Sequence, residues 1–162
     1  MKILVATDFS EEGKVVLDFA ASMARQCGGK MYLLHAVDPC LIDAAGSFPR
    51  REMLTRIPRG SVEPPEIITG VSVLHAADKR AKELSEHLAR KWDIPIYGKA
   101  EEADDVVECV HKFCERHAID MLVIGNRHHS LLTTILLGNT AEKLVRAAKI
   151  PVTVVPCGPK AK

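Results

Sequence analysis

The stretch DMLVIGNRHHSLLTTILLGNTAEKLVRAAKIPVTVVP, from Asp120 to Pro156, decides the fold. It opens with DMLVIG (Asp120–Gly125), an apolar run of the kind a parallel strand covered on both faces shows. It closes with a second such run, PVTVVP (Pro151–Pro156). Between them a helix is expected from about Asn139, with Leu144, Val145 and Ala148 turned inward. Asn139 suits an N-cap, and Glu142 three residues later completes a capping-box pattern. Strand, helix, strand in that order is a parallel crossover, because the link is long enough to carry the chain back to its starting edge.

The same rhythm runs outward to the N-terminus. KILVATD (Lys2–Asp8) reads as a first strand, and Ser10 as the cap of a helix with Val16, Phe19, Ala20, Met23 and Cys27 at helical spacing. Gly28-Gly29 stops that helix, since glycine accepts the left-handed conformation past a last turn. MYLLHAV (Met31–Val37) is a second buried-type strand. Residues 39–70 break the pattern with five prolines, three glycines and no sustained period. Such a stretch is longer than the usual connection in a compact domain. Helical spacing returns from Val71 to Lys91, IPIYG (Ile94–Gly98) is a weak third strand, and Ala103–His117 is a helix with Asp104 and Asp105 near its positive end. The expected architecture is a single α/β domain over residues 1–162, with an irregular excursion at about 39–70. Its five-stranded parallel sheet has the order 3-2-1-4-5 and helices on both faces.

Composition narrows the function classes. Apolar residues are 47% and charged residues 27% of 162, with a net charge of +1 spread along the chain. That balance is globular, and it offers no electrostatic footprint for nucleic acid or an anionic membrane. No apolar run approaches the roughly 20 residues that span a bilayer. The apolar run after Met1 is too short for a secretory core. Five cysteines form no CxxC pair, so reduced thiols in a cytoplasmic protein are the expectation.

In doubly wound sheets, ligands sit at the carboxyl ends of the strands where winding reverses. Here that point lies between the first and fourth strands, at ATDFS (Ala6–Ser10) and GNRHHS (Gly125–Ser130). Gly125 ends a strand and Gly138 precedes a helix, and two readings share those facts. Either glycine serves the turn alone, or it lets a phosphate approach unpaired N–H groups at a helix start. Asn139 and Thr140 would add side-chain donors.

ILVATDFS, LLHAVD (Leu33–Asp38) and MLVIGNR…LLGNTAEKLVRAAKIPVTVVP together resemble the universal stress protein family, across the whole chain and in the order of elements. The resemblance implies a five-stranded α/β domain, usually dimeric through its last strand, here Pro151–Pro156. Many members bind ATP or AMP and others do not. Nucleotide-binding members share a motif of glycine, two residues, glycine, nine residues, then glycine with serine or threonine. Gly125 and Gly138 match its first and third glycines. His128 stands at the second, next to Arg127, and Asn139 with Thr140 stands at the hydroxyl position. An imidazole there either crowds the phosphates or donates to them. The resemblance carries over Ala6, Thr7 and Asp8 at the first strand's end, and Val37 as a backbone contact to adenine.

Other groups have plainer roles beside their functional ones. Asp8 is a candidate for Mg²⁺ beside a triphosphate, or simply a turn acid. Arg50, Arg51, Arg56 and Arg59 suit phosphates but also suit a solvated loop, which is favoured. His111, Cys114 and His117 recur every three residues, yet no fourth zinc ligand is identifiable, so a partly exposed helix face is favoured. His35, in a buried-type strand, reads as a satisfied core histidine. No GxSxG, Walker A or HExxH pattern occurs, and a receiver domain would need an acidic pair after the first strand, where ATDFS offers one acid, and an aspartate after the third, where IPIYGKA offers none. The expectation is an adenine-nucleotide-binding stress regulator read by an unidentified protein partner, and not an enzyme. The alternatives are a nucleotide-independent dimeric interaction protein and a slow Mg²⁺-dependent ATP hydrolase.

Overall fold

The computed structural model describes residues 1–38, 70–127 and 139–157. Within them strands and helices alternate as β1 (Lys2–Ala6), α1 (Lys14–Gln26), β2 (Lys30–Val37), α2 (Gly70–Trp92), β3 (Ile96–Glu102), α3 (Val106–His117), β4 (Met121–Arg127), α4 (Asn139–Ala147) and β5 (Val152–Cys157). All strand pairs are parallel and the order is β3-β2-β1-β4-β5, as the sequence pattern predicts. The excursion expected at about 39–70 lies outside the described residues except for Gly70, which already opens α2.

Successive strand residues point to opposite faces, so each buried strand feeds two cores. Ile3, Val5, Met31, Leu33 and Val123 pack against α1, through Val16, Leu17, Ala20, Ala21 and Ala24, and against Leu88 of α2. Leu4, Leu34, Leu122 and Ile124 pack against Val110 and Phe113 of α3 and Ala141 and Leu144 of α4. Each large aliphatic side chain so buried stabilises the fold by about 1.5–3 kcal/mol. The continuous apolar runs of β1, β2 and β4 are therefore what two covered faces require.

Several local expectations need correcting. Ser10 does not cap α1: the helix starts at Lys14 behind Gly13 with no side-chain cap, and Ser10 Oγ instead accepts the Gly13 N–H at 3.3 Å. The inward stripe of α1 is built largely on alanines, which lets the helix sit close to the sheet. This rotates Phe19 outward to 40% exposure and leaves Cys27 at the surface. Gly28 does take the left-handed conformation (φ 58°) that ends the helix. In α4, Ala141 and Leu144 turn inward, while Val145 is 38% exposed and Ala148 lies past the helix end. Glu142 does not close a capping box among the described residues; its Oε1 accepts from Arg146 Nε at 2.9 Å, one turn along. α3 starts at Val106, because Asp105 caps it by accepting the N–H groups of Val107 (2.6 Å) and Glu108 (3.2 Å).

The largest shift concerns β3, which runs two residues later and further than the IPIYG signal. It is an outer strand, and its Lys99, Glu101 and Glu102 hide the apolar pattern that marks a covered one. Its outward edge is occupied by Asp78 of α2, whose Oδ1 accepts the Ala100 N–H at 3.1 Å. Lys82 (2.7 Å) and Lys99 (3.2 Å) pair with the same carboxylate. Burial alone would raise the Asp78 pKa, but these hydrogen bonds outweigh it and hold the group at about 2.

Candidate functional site

The carboxyl ends of β1 and β4 open into a cavity of about 410 Å³, at the point where the sheet's winding reverses. Six of the residues singled out from sequence line it: Ala6, Thr7 and Asp8 after β1, Gly125 on β4, and Asn139 and Thr140 at the start of α4. They reach it from elements far apart in the chain because β1 and β4 are hydrogen-bonded neighbours, with Val5 opposite Val123. Val5, Leu34 and Ile124 give the cavity an apolar floor. The exposed first turn of α4 brings the N–H groups of its N-terminus and the positive end of its helix dipole to one side.

Val37 is not among the lining residues. It ends β2 with its side chain buried and its carbonyl accepting the Ala103 N–H at 2.9 Å. Arg127 closes β4 by its backbone, and its side chain, like His128 and Gly138, lies outside the described residues. The same holds for Arg50, Arg51, Arg56 and Arg59.

Gly125 has a packing reason as well as a place in the cavity. A Cβ at this position would stand 2.8 Å from Cys157 Sγ and 3.0 Å from Val16 Cγ2. The missing side chain therefore lets β5 and α1 close on β4. Asn126 beside it is buried at 3% exposure.

The turn after β1 is held in detail. Thr7 N–H donates to the Leu34 carbonyl at 2.9 Å, extending the strand pairing by one residue. Thr7 Oγ1 accepts the Phe9 N–H and Asp8 Oδ1 accepts the Ser10 N–H, both at 3.1 Å. Asp8 thus fills the turn role as well as facing the cavity. Phe9 sits at φ 59°, a left-handed conformation that costs a non-glycine residue about 1–2 kcal/mol.

His35 lines the cavity too, a placement that its reading as a satisfied core histidine does not include. Its Nδ1 lies 2.8 Å from the Thr7 carbonyl, so Nδ1 carries the proton. Its ring packs on Phe9 at 4.5 Å, and Arg80 of α2 lies over the same phenyl ring at 5.4 Å. Burial lowers the imidazole pKa below the ordinary histidine value; Arg80 adds to this, while the Thr7 bond and the Asp8 charge oppose it. The available signal was alternation along LLHAVD, which puts His35 on the face of Leu33 at the ligand end of β2.

The helix-face triplet does not assemble. Cys114 is buried and its thiol is pushed up to about 11, first by burial and then by Glu115. The His117 ring packs on Phe113 at 4.2 Å and Tyr32 at 5.2 Å. Among the described residues no three His, Cys, Asp or Glu side chains gather to hold a metal. No helix of the described residues is long and apolar enough to cross a membrane.

A model of the universal stress protein family matches residues 1–156. The chain belongs to the universal stress protein family. Universal stress protein MJ0531 of Methanocaldococcus jannaschii is 26% identical over 160 residues, covering 95% of this chain and 81% of the relative. Two solved family structures share the fold. The universal stress protein of Archaeoglobus fulgidus in complex with dAMP has a TM-score of 0.60 and 20% identity, covering 95% of this chain and 96% of its own. A universal stress protein in complex with cAMP has a TM-score of 0.58 and 19% identity, covering 96% of each chain.

Proposed function

We propose that this universal stress protein is a sensor or regulator that binds an adenine nucleotide, ATP or AMP, between the ends of β1 and β4. The observation that carries the reading is the convergence of Ala6, Thr7, Asp8, Gly125, Asn139 and Thr140 on one cavity of about 410 Å³. That size falls within the roughly 300–1,000 Å³ of small-molecule sites. The dAMP and cAMP complexes of two structural neighbours support the ligand class. The apolar floor suits a base, and the start of α4 suits phosphates through its N–H groups and the side chains of Asn139 and Thr140. A Mg²⁺ entering with a triphosphate would meet Asp8, phosphate oxygens and water, a donor set that magnesium accepts. The protein acts in the cytoplasm by binding and not by turnover: nucleotide occupancy biases loop or dimer conformation, and a protein partner reads the change.

Dimerisation runs through β5. Asp78 occupies the other outer edge of the sheet, and the Pro151–Pro156 segment forms the outer strand on this side. Pro156 within β5 suits an edge strand, which tolerates a missing N–H. Sedimentation at high micromolar concentration should give a dimer, and a monomer would refute this part.

Calorimetric titration of nucleotide-stripped protein with ATP and AMP, with and without Mg²⁺, tests the main reading alongside Gly138→Val. Micromolar binding that is lost in the variant is the expected result. Absence of heat from folded, nucleotide-free protein would favour the second reading, a nucleotide-independent dimeric interaction protein. That reading draws on His128 standing where the phosphate motif has its second glycine. Phosphate release that requires both Mg²⁺ and Asp8 would instead identify a slow hydrolase.

A further inference from the structure

The turn Thr7–Ser10 is the part of the cavity wall that carries Thr7 and Asp8, and it lies just beyond the hydrogen-bonded register of β1. Two bonds dock it on β2, one from each side of the Thr7 peptide. The Thr7 N–H reaches the Leu34 carbonyl at 2.9 Å, and the Thr7 carbonyl receives His35 Nδ1–H at 2.8 Å. The first is backbone to backbone and survives any substitution at residue 35. The second depends wholly on a side-chain donor. Downstream of it, Phe9 is held at φ 59°, and such a residue persists only where its surroundings over-determine it. The surroundings here are the Thr7 hydroxyl on the Phe9 N–H, the His35 ring against the Phe9 ring, and Arg80 over that ring.

We propose that His35 is a positioning residue for the nucleotide site: its Nδ1–H clamps the Thr7 carbonyl, so that the turn presents Thr7 and Asp8 in one fixed arrangement. This rests on the nucleotide reading above. A turn with several conformations binds a ligand more weakly, in proportion to the fraction of time it spends in the competent one. Without the donor, the Thr7 carbonyl loses its partner on β2, and the strained Phe9 conformation has one support fewer. Arg80 extends the same stack to α2, which ties the ligand turn to the helix covering β2 and β3.

The test uses two substitutions that differ in the donor. Asparagine has an N–H donor the same number of bonds from Cβ as Nδ1, whereas leucine keeps comparable bulk and has no donor. His35→Leu should weaken adenine nucleotide binding about ten-fold, the scale of one lost hydrogen bond. His35→Asn should stay within about three-fold of the parent protein. Amide hydrogen exchange by NMR supplies an arm that needs no ligand. In His35→Leu the Phe9 and Ser10 amides should exchange faster while those of β4 hold; in His35→Asn they should remain protected. Equal exchange and equal affinity in His35→Leu would overturn the proposal, as would an asparagine variant as impaired as the leucine one. Should the parent protein bind no nucleotide, the nucleotide reading fails by itself, and the exchange arm still decides whether His35 holds the turn.

Discussion

Replacing Gly125 with alanine separates the two reasons for a glycine at the ligand end of β4. The new Cβ would lie 2.8 Å from Cys157 Sγ and 3.0 Å from Val16 Cγ2. Non-bonded carbons rest at about 3.5–4.0 Å, so both contacts are short by roughly half to one ångström. Cys157 and Val16 are buried in the cluster that α1 forms with the sheet, and both border the cavity, which is the one direction the described residues leave for either to retreat. Overpacking of this kind costs about 1–3 kcal/mol. The relief is specific: Cys157→Ala removes the atom at 2.8 Å. Alone it should cost about 1 kcal/mol, through the loss of a buried sulfur. Combined with Gly125→Ala it should recover part of the loss, giving a coupling of about 0.5–2 kcal/mol in a double-mutant cycle. Urea unfolding of the four proteins gives these terms. Nucleotide titration of the double variant then asks whether the ligand also needs the glycine. Strict additivity would refute the packing argument, and so would an alanine variant as stable as the parent.

Three further outcomes are expected. Asp78→Ala should lose about 1–2 kcal/mol at pH 7: the fall in pKa from 3.8 to about 2 corresponds to about 2.4 kcal/mol, discounted because both lysine partners are half exposed or more. Since the folded-state pKa is the lower one, that stability is present above pH 3.8 and fades towards pH 2, so the two acid-unfolding curves should converge there. His35 is also lowered in the folded state, but it is a base, so the unfolded chain takes up its proton first as pH falls below 6.5. Stability should therefore decline below that pH, and His35→Asn should flatten the slope there; an unchanged slope would remove His35 from the explanation. Asp105→Ala removes the acceptor for two N–H groups at the start of α3 and should cost about 1 kcal/mol by thermal or urea unfolding.

The covered strands were the legible part of the sequence. β1, β2 and β4 carry unbroken apolar runs because each faces a helix layer on both sides, and that pattern also implies parallel pairing. β3 was blurred because an outer strand keeps charges, and α1 was misrotated because its alanine stripe carries less hydrophobic weight than Phe19. At the site, Thr7, Asp8, Gly125, Asn139 and Thr140 could be grouped from topology alone, since strand order fixes which loops meet. Phe9 and Arg80, which stack beside His35, could not. Their association depends on a left-handed residue at position 9 and on how far an arginine from α2 reaches, and neither leaves a periodic trace.

Asp78 has a consequence for assembly as well as for stability. A carboxylate already holds the Ala100 N–H at the β3 margin, so among the described residues β5 is the border that more readily accepts a neighbouring strand. Were a second molecule to join there about a two-fold axis, both outer borders of the combined sheet would be β3 borders, each with its own Asp78 bonded to it. In such a pair one acidic side chain on a helix would work against further strand addition at either border.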